Sequence, residues 1–319
     1  MSRSGRRNRV ALVVAAAALT VMAAVGLIRS RTARAEAPPD GSADAERPEP
    51  AEDPEPAEGP ERRSPLAFLA LAFLLSVPWW VAGGRPLPVG VRLPTSALTI
   101  VNPLLAAGAL TLRRSGWRGL RALLARAVDA QRVTHPAWFL PPLFLYPLIG
   151  VLSYAVMRLA GRSLPAPGAV RWGEAPVYLA GFLLAGAAEE LGWMGYALEP
   201  MQRRWGALRA AVVLGIAWGL FHLVPDIQNG RPAGWIVAQR LSGVAFRILM
   251  VWVFNNAGGS VLTAILFHAT NNLAWAMFPV YGSHYDPLLT LLLTLPFLAW
   301  ALARYDPATL TPRRRPLGR

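Results

Sequence analysis

The chain has 319 residues, 54% of them apolar and only 16% charged, with a mean hydropathy of +0.35, against about 45–50% apolar and about 25% charged in soluble domains. It contains no cysteine, which excludes disulfides, thiolate metal sites and cysteine nucleophiles. Its net charge of +14 comes entirely from residues 64–319, where 22 arginines and eight acids lie mostly beside apolar runs, a placement that speaks for topology signals and lipid-headgroup contacts rather than for nucleic acid.

Residues 1–35 combine a basic start, an apolar stretch at 10–28 and three following arginines. Ala33-Arg34-Ala35 resembles a signal cleavage site, but the stretch is long enough to span, so we read an uncleaved anchor. Residues 36–63, rich in Pro, Glu, Asp and Ala, cannot bury enough apolar surface to fold and read as a disordered acidic linker. Apolar runs follow at about 65–83, 96–112, 137–159, 176–198, 208–225, 234–254, 259–277 and 286–303. Each is near the roughly 17–25 residues of a spanning helix. Backbone groups in lipid must be satisfied within the segment, so each run predicts a helix. Pro141, Pro142 and Pro147 predict a kink in the third run. The expected fold is an all-α polytopic membrane protein with an eight-helix domain over 64–305, closed by a basic tail at 306–319.

Loop arginines predict the orientation. Sixteen fall on one side of the eight-run core and six on the other, so both ends of the core are expected to face the cytoplasm, in a bacterial plasma membrane. The first apolar segment does not fit this scheme, whether it spans or is cleaved.

Ionisable groups inside a membrane are costly and often functional. Of the eight acids in the core, only Glu189 and Glu190 fall well inside an apolar run. His222 lies in the fifth run, Arg247 in the sixth with Arg240 seven residues earlier, and His268 and Asn272 in the seventh, one helical turn apart. At 1.5 Å per residue Glu189, His222, His268 and Asn272 lie about 13–21 Å from the cytoplasmic end of their helices, so these four occupy one slab of membrane. A carboxylate and a histidine can share a water and take its proton. A second histidine and an amide can donate to a developing oxyanion. Glu189, His222 and His268 together also suit a divalent metal such as zinc with an open position. Metal-free and metal-assisted hydrolysis are equally compatible with these residues.

The residues match a known pattern. The chain resembles the CPBP (Abi) family of intramembrane proteases, named for CAAX prenyl proteases and bacteriocin-processing proteins. The resemblance rests on Glu189-Glu190-Leu191-Gly192-Trp193-Met194 for E-E-x-x-x-R, on Trp218 four residues before His222, and on His268-Ala269-Thr270-Asn271-Asn272 for H-x-x-x-N. It implies a helical bundle whose site opens within the membrane. It also implies Glu189 as general base acting with His222 on water, and His268 with Asn272 as the oxyanion site, with Glu190 in the same motif. One departure stands out: the family arginine is Met194 here. An arginine at 194 would lie one turn from Glu190, so Glu190 needs another charge partner, for which we nominate Arg247.

The expected function is endoproteolysis of a peptide or membrane-protein substrate within the lipid bilayer. Two alternatives are a non-catalytic scaffold or immunity-type protein, favoured by Met194, and a transporter using the Glu/His cluster as a proton relay. Trp193 and Trp218 read as packing or interfacial residues, and Arg240 as an arginine snorkelling to an interface. His135 and His284 fall in loops, and Gly258-Gly259 at a turn before a helix.

Overall fold

The computed structural model describes residues 63–83 and 95–313. The expected anchor at 1–35, nearly all of the linker and the end of the basic tail lie outside them. Each of the eight apolar runs forms a helix. α1 is Pro65–Ala82, α2 Asn102–Ala125, α3 Leu140–Leu159, α4 Ala175–Gly192, α5 Glu199–Trp205, α6 Ala207–Phe221, α7 Leu223–Gln228, α8 Ala233–Asn256, α9 Val261–Met277 and α10 Pro287–Arg304. A 3-10 turn, Thr95–Val101, leads into α2. No strand forms among the described residues beyond the isolated pairing of Tyr305 with Pro312.

Six of these stretches are long and apolar enough to cross a membrane: Pro65–Ala82, Thr95–Val128, Pro136–Leu159, Ala207–Gln228, Ala233–Asn256 and Pro287–Arg304. The protein is a polytopic bundle of membrane helices. α4 and α9 fall outside this set. α4 carries the two glutamates, and α9 has only 17 residues and carries His268, Asn271 and Asn272. These two helices pack extensively on each other, so the most polar pair is held together inside the bundle. Partners within the protein, rather than lipid, then meet the two glutamates and His268.

Local chemistry explains the helix limits. Ser64 caps α1 by accepting the Ala67 amide at 3.2 Å. In the third run Pro141 and Pro142 sit at the first turn of α3, where a missing N–H costs nothing, so only Pro147 lies inside the helix. α4 passes through a π-helical turn, Trp193–Leu198, into α5. Such turns interrupt the regular ladder and recur at functional sites. α6 stops at Phe221, and His222 has φ −92° and ψ −4° at the junction with α7.

Close approach depends on two glycines flanking the glutamates. A Cβ at Gly186 would lie 3.2 Å from the Ile265 carbonyl on α9, and one at Gly192 would collide with the Pro103 backbone on α2. Small residues at such contacts let membrane helices pack backbone to backbone. α8 is the buried centre: residues 245–254 are enclosed throughout, with α6 on one side and α10 on the other.

Candidate active site

Adjacent helix positions point about 100° apart, and the two glutamates serve different neighbours. Glu189 is directed at α6. Its Oε2 accepts the indole N–H of Trp218 at 2.7 Å and that of Trp193 at 3.3 Å. Both tryptophans therefore hold the carboxylate, a role their apolar settings did not announce. With Oε2 occupied, Oε1 is the atom left to face the histidines. His222 Nε2 lies 3.8 Å from it and His268 Nε2 4.0 Å.

The histidine tautomers follow from what stands behind each ring. His222 Nδ1 lies 2.9 Å from the Trp218 carbonyl, an acceptor only, so Nδ1 carries the proton. His268 Nδ1 lies 2.7 Å from Glu190 Oε1 and donates to it. With the proton on Nδ1, each ring turns its Nε2 toward Glu189 Oε1. Both Nε2 atoms thus approach one carboxylate oxygen, at distances longer than a direct hydrogen bond. Glu189 and His268 are each 3% exposed by side chain, whereas His222 is 27% exposed. The cluster is accordingly reached from the His222 side.

Glu190 is directed at α8. Its Oε2 forms an ion pair with Arg247, and both side chains are fully buried. The structure thus puts Arg247 where the arginine missing at 194 would have been needed. Met194 is itself fully buried in the core. The Arg247 guanidinium also lies 4.8 Å over the Trp218 ring, and one of its nitrogens reaches the Met250 sulfur at 3.3 Å. Its charge is met by a carboxylate on one side and by an indole face on the other.

Arg240 does not snorkel. It donates to the Gly219 carbonyl at 2.8 Å and to Asp226 at 2.7 Å, with about a fifth of each side chain exposed. This pair braces the end of α6, where His222 sits. Asn272 lies one turn beyond His268 on α9 and is half-buried; among the described residues its amide makes no hydrogen bond. His135 and His284 lie in loops, apart from the cluster.

Ligand atoms of Glu189, Glu190 and His268 all lie within 4.8 Å of one another. Glu190, however, is committed to Arg247 and to His268 Nδ1. The open donor set is therefore Glu189 Oε1 with the Nε2 atoms of His222 and His268. Of this set His222 Nε2 lies outside the group of ligand atoms that meet within 4.8 Å, so two open donors, Glu189 Oε1 and His268 Nε2, stand together with Glu190 behind the histidine.

Residues 170–274 match a family model described as type II CAAX prenyl endopeptidase Rce1-like. This segment is Rce1-like. Over 99 residues the chain is also 33% identical to a protein described as CAAX prenyl protease 2 of Methanococcus maripaludis, which covers 28% of this chain and 36% of that protein. The alignment thus spans about a third of the relative's length. The Rce1-like segment contains Glu189, Glu190, His222, Arg247, His268 and Asn272, together with both tryptophans and the Arg240–Asp226 brace.

Proposed function

We propose that the chain is an intramembrane endopeptidase whose catalytic unit is the bundle at residues 64–305. The observation that carries this reading is the convergence of both histidine Nε2 atoms on Glu189 Oε1, within 4.0 Å, inside a bundle of membrane helices. A water held by Glu189 and His222 attacks the scissile carbonyl, and its proton passes to Glu189. The new C–O bond pushes the carbonyl electron pair onto oxygen. His268, which takes a solvent proton at Nε2 before the attack, and the Asn272 amide donate to that oxyanion. Collapse breaks the C–N bond, and the proton on Glu189 leaves with the amine. Glu190 keeps Nδ1 of His268 protonated, and Arg247 keeps Glu190 ionised. Trp193 and Trp218 fix the base in place.

The second reading is metal-assisted hydrolysis, favoured by the ligand atoms of Glu189, Glu190 and His268 meeting within 4.8 Å, with His222 beside them. Glu189, His222 and His268 would hold a divalent ion, which when bound acidifies its water and polarises the carbonyl.

The substrate is a peptide or membrane protein presented within the bilayer. The name of the Methanococcus relative, a CAAX prenyl protease, makes a prenylated C-terminal peptide the first class to test, beside unmodified apolar peptides. The arginine distribution supports cytoplasmic ends for the core. The test compares purified full-length protein with Glu189→Ala and His268→Ala, each given quenched prenylated and unmodified peptides, with and without chelator. Cleavage by wild type alone is expected. Cleavage undiminished in Glu189→Ala would sink the mechanism, and chelator sensitivity restored by zinc selects the metal-assisted form. A phenotype that survives Glu189→Ala in cells would indicate a scaffold instead.

A further inference from the structure

The ends of α3, α8 and α10 enclose a cavity of about 850 Å³ that shares no lining residue with the Glu/His cluster. Its size falls in the roughly 300–1,000 Å³ range of small-molecule sites. The helix side of the lining is apolar, from Met157, Val237, Leu241 and Leu288, whereas the loop side is polar, with Arg162, Ser163, Ser283, His284, Tyr285 and Asp286. From Gly234 to Leu241 the wall descends α8 by about 10 Å at 1.5 Å per residue.

The cavity opens sideways. Val237, Leu241 and Leu288 line it and are 58%, 54% and 54% exposed. α3, α8 and α10 all belong to stretches apolar enough to cross a membrane, so the opening faces acyl chains. At the mouth Arg162 is held by Asp286 at 2.9 Å and still exposes 57% of its side chain. Arg231 lies 4.6 Å over the ring of Trp235, which also lines the cavity.

We propose that this groove is a phospholipid site. One acyl chain lies along Val237 and Leu241, and the phosphate sits at the mouth between Arg162 and Arg231. The polarity decides the occupant. A peptide strand carries amides along its whole length, and burying them against this wall would leave them unpaired. A glycerophospholipid puts its polar groups at one end only, as the groove does. This inference does not depend on the proposed proteolysis.

The test uses the full chain, delipidated in mild detergent and given dioleoyl-phosphatidylglycerol or dioleoylglycerol, with bound lipid read by native mass spectrometry. Wild type is expected to retain one phosphatidylglycerol and to prefer it severalfold over the diacylglycerol. Leu241→Trp fills the slot from an exposed position and should lower retention at least tenfold. Arg162→Gln leaves the slot open and should remove most of the preference for the phosphate. Melting temperatures matching wild type show that both variants fold, and a variant that fails this check is replaced by Val237→Trp at the same wall. Equal retention by wild type and the filled variant overturns the proposal. So does equal binding of the two lipids by wild type, or a wild-type dimer that Leu241→Trp dissociates without changing lipid retention.

Discussion

Trp218 donates its indole N–H to Glu189 across 2.7 Å, from the same helix end that carries His222. Trp193 donates to the same oxygen from one turn along α4, at 3.3 Å. One carboxylate oxygen is thereby taken by two donors, and the other is left for water and the histidines. Hydrogen bonds to charged groups contribute about 1.5–3 kcal/mol. Trp218→Phe should therefore lower kcat/KM by roughly tenfold to a hundredfold. Trp193→Phe, which breaks the longer bond, should cost less. Peptide cleavage by the two variants tests the order, and a larger loss in Trp193→Phe would refute the assignment.

Arg247 and Glu190 form a fully buried pair, and breaking such a pair typically costs about 3–5 kcal/mol because the remaining charge is stranded. Arg247→Met should lower the melting temperature sharply, and Glu190→Gln in the same chain should recover much of it. Activity should not return, because His268 then loses the carboxylate behind Nδ1. Restoring arginine at 194 makes a sharper test. Met194→Arg alone adds a second buried cation beside an already neutralised glutamate and should destabilise. In the Arg247→Met background the same change should stabilise. A double-mutant cycle of melting temperatures gives the sign of the coupling, and simple additivity would mean that the two positions do not serve one carboxylate.

The pairing of Arg247 with Glu190 was legible only through the family resemblance, which expects an arginine at 194, and through Arg247 being a cation in the middle of another apolar run. All eight runs were legible as helices because lipid demands apolar runs, but only six are long and apolar enough to cross a membrane, and α4 and α9 are not among them. The tryptophan donors were not legible, since an indole in an apolar run looks like packing until its N–H direction is known. Arg240 was misread because its partner Asp226 lies across a helix break at His222 and a turn at Asn229 and Gly230. Spacing alone does not show that these bring the two side chains to 2.7 Å.

Arg240 acts on the site through His222. Its bond to the Gly219 carbonyl satisfies one of the last acceptors of α6, and its bond to Asp226 ties that end to α7. Arg240→Gln should leave the bundle folded and lower kcat about tenfold, with KM nearly unchanged, because the water-holding imidazole is displaced rather than any substrate contact. Arg240→Lys should recover part of that loss. Steady-state kinetics separates the outcomes: a rise in KM at constant kcat would make Arg240 a substrate contact instead of a positioning residue.

Asp129 positions the opposite face of the site. It is 2% exposed and accepts from the Ser260 hydroxyl at 2.7 Å and from the amides of Leu262 and Val261 at 3.1 and 3.2 Å. It thus caps the start of α9 from more than a hundred residues away in sequence, with Arg126 at 3.4 Å balancing its charge. His268 lies two turns further along that helix. Loss of a capping side chain costs about 0.5–2 kcal/mol. Asp129→Asn keeps the shape but weakens the acceptor, so its melting temperature should fall modestly, and Asp129→Ala should fall further. Amide exchange should rise first at residues 261–264 in both variants. Uniform exchange across α9, or faster exchange confined to α2, would show that Asp129 serves the α2 end rather than the helix that carries His268.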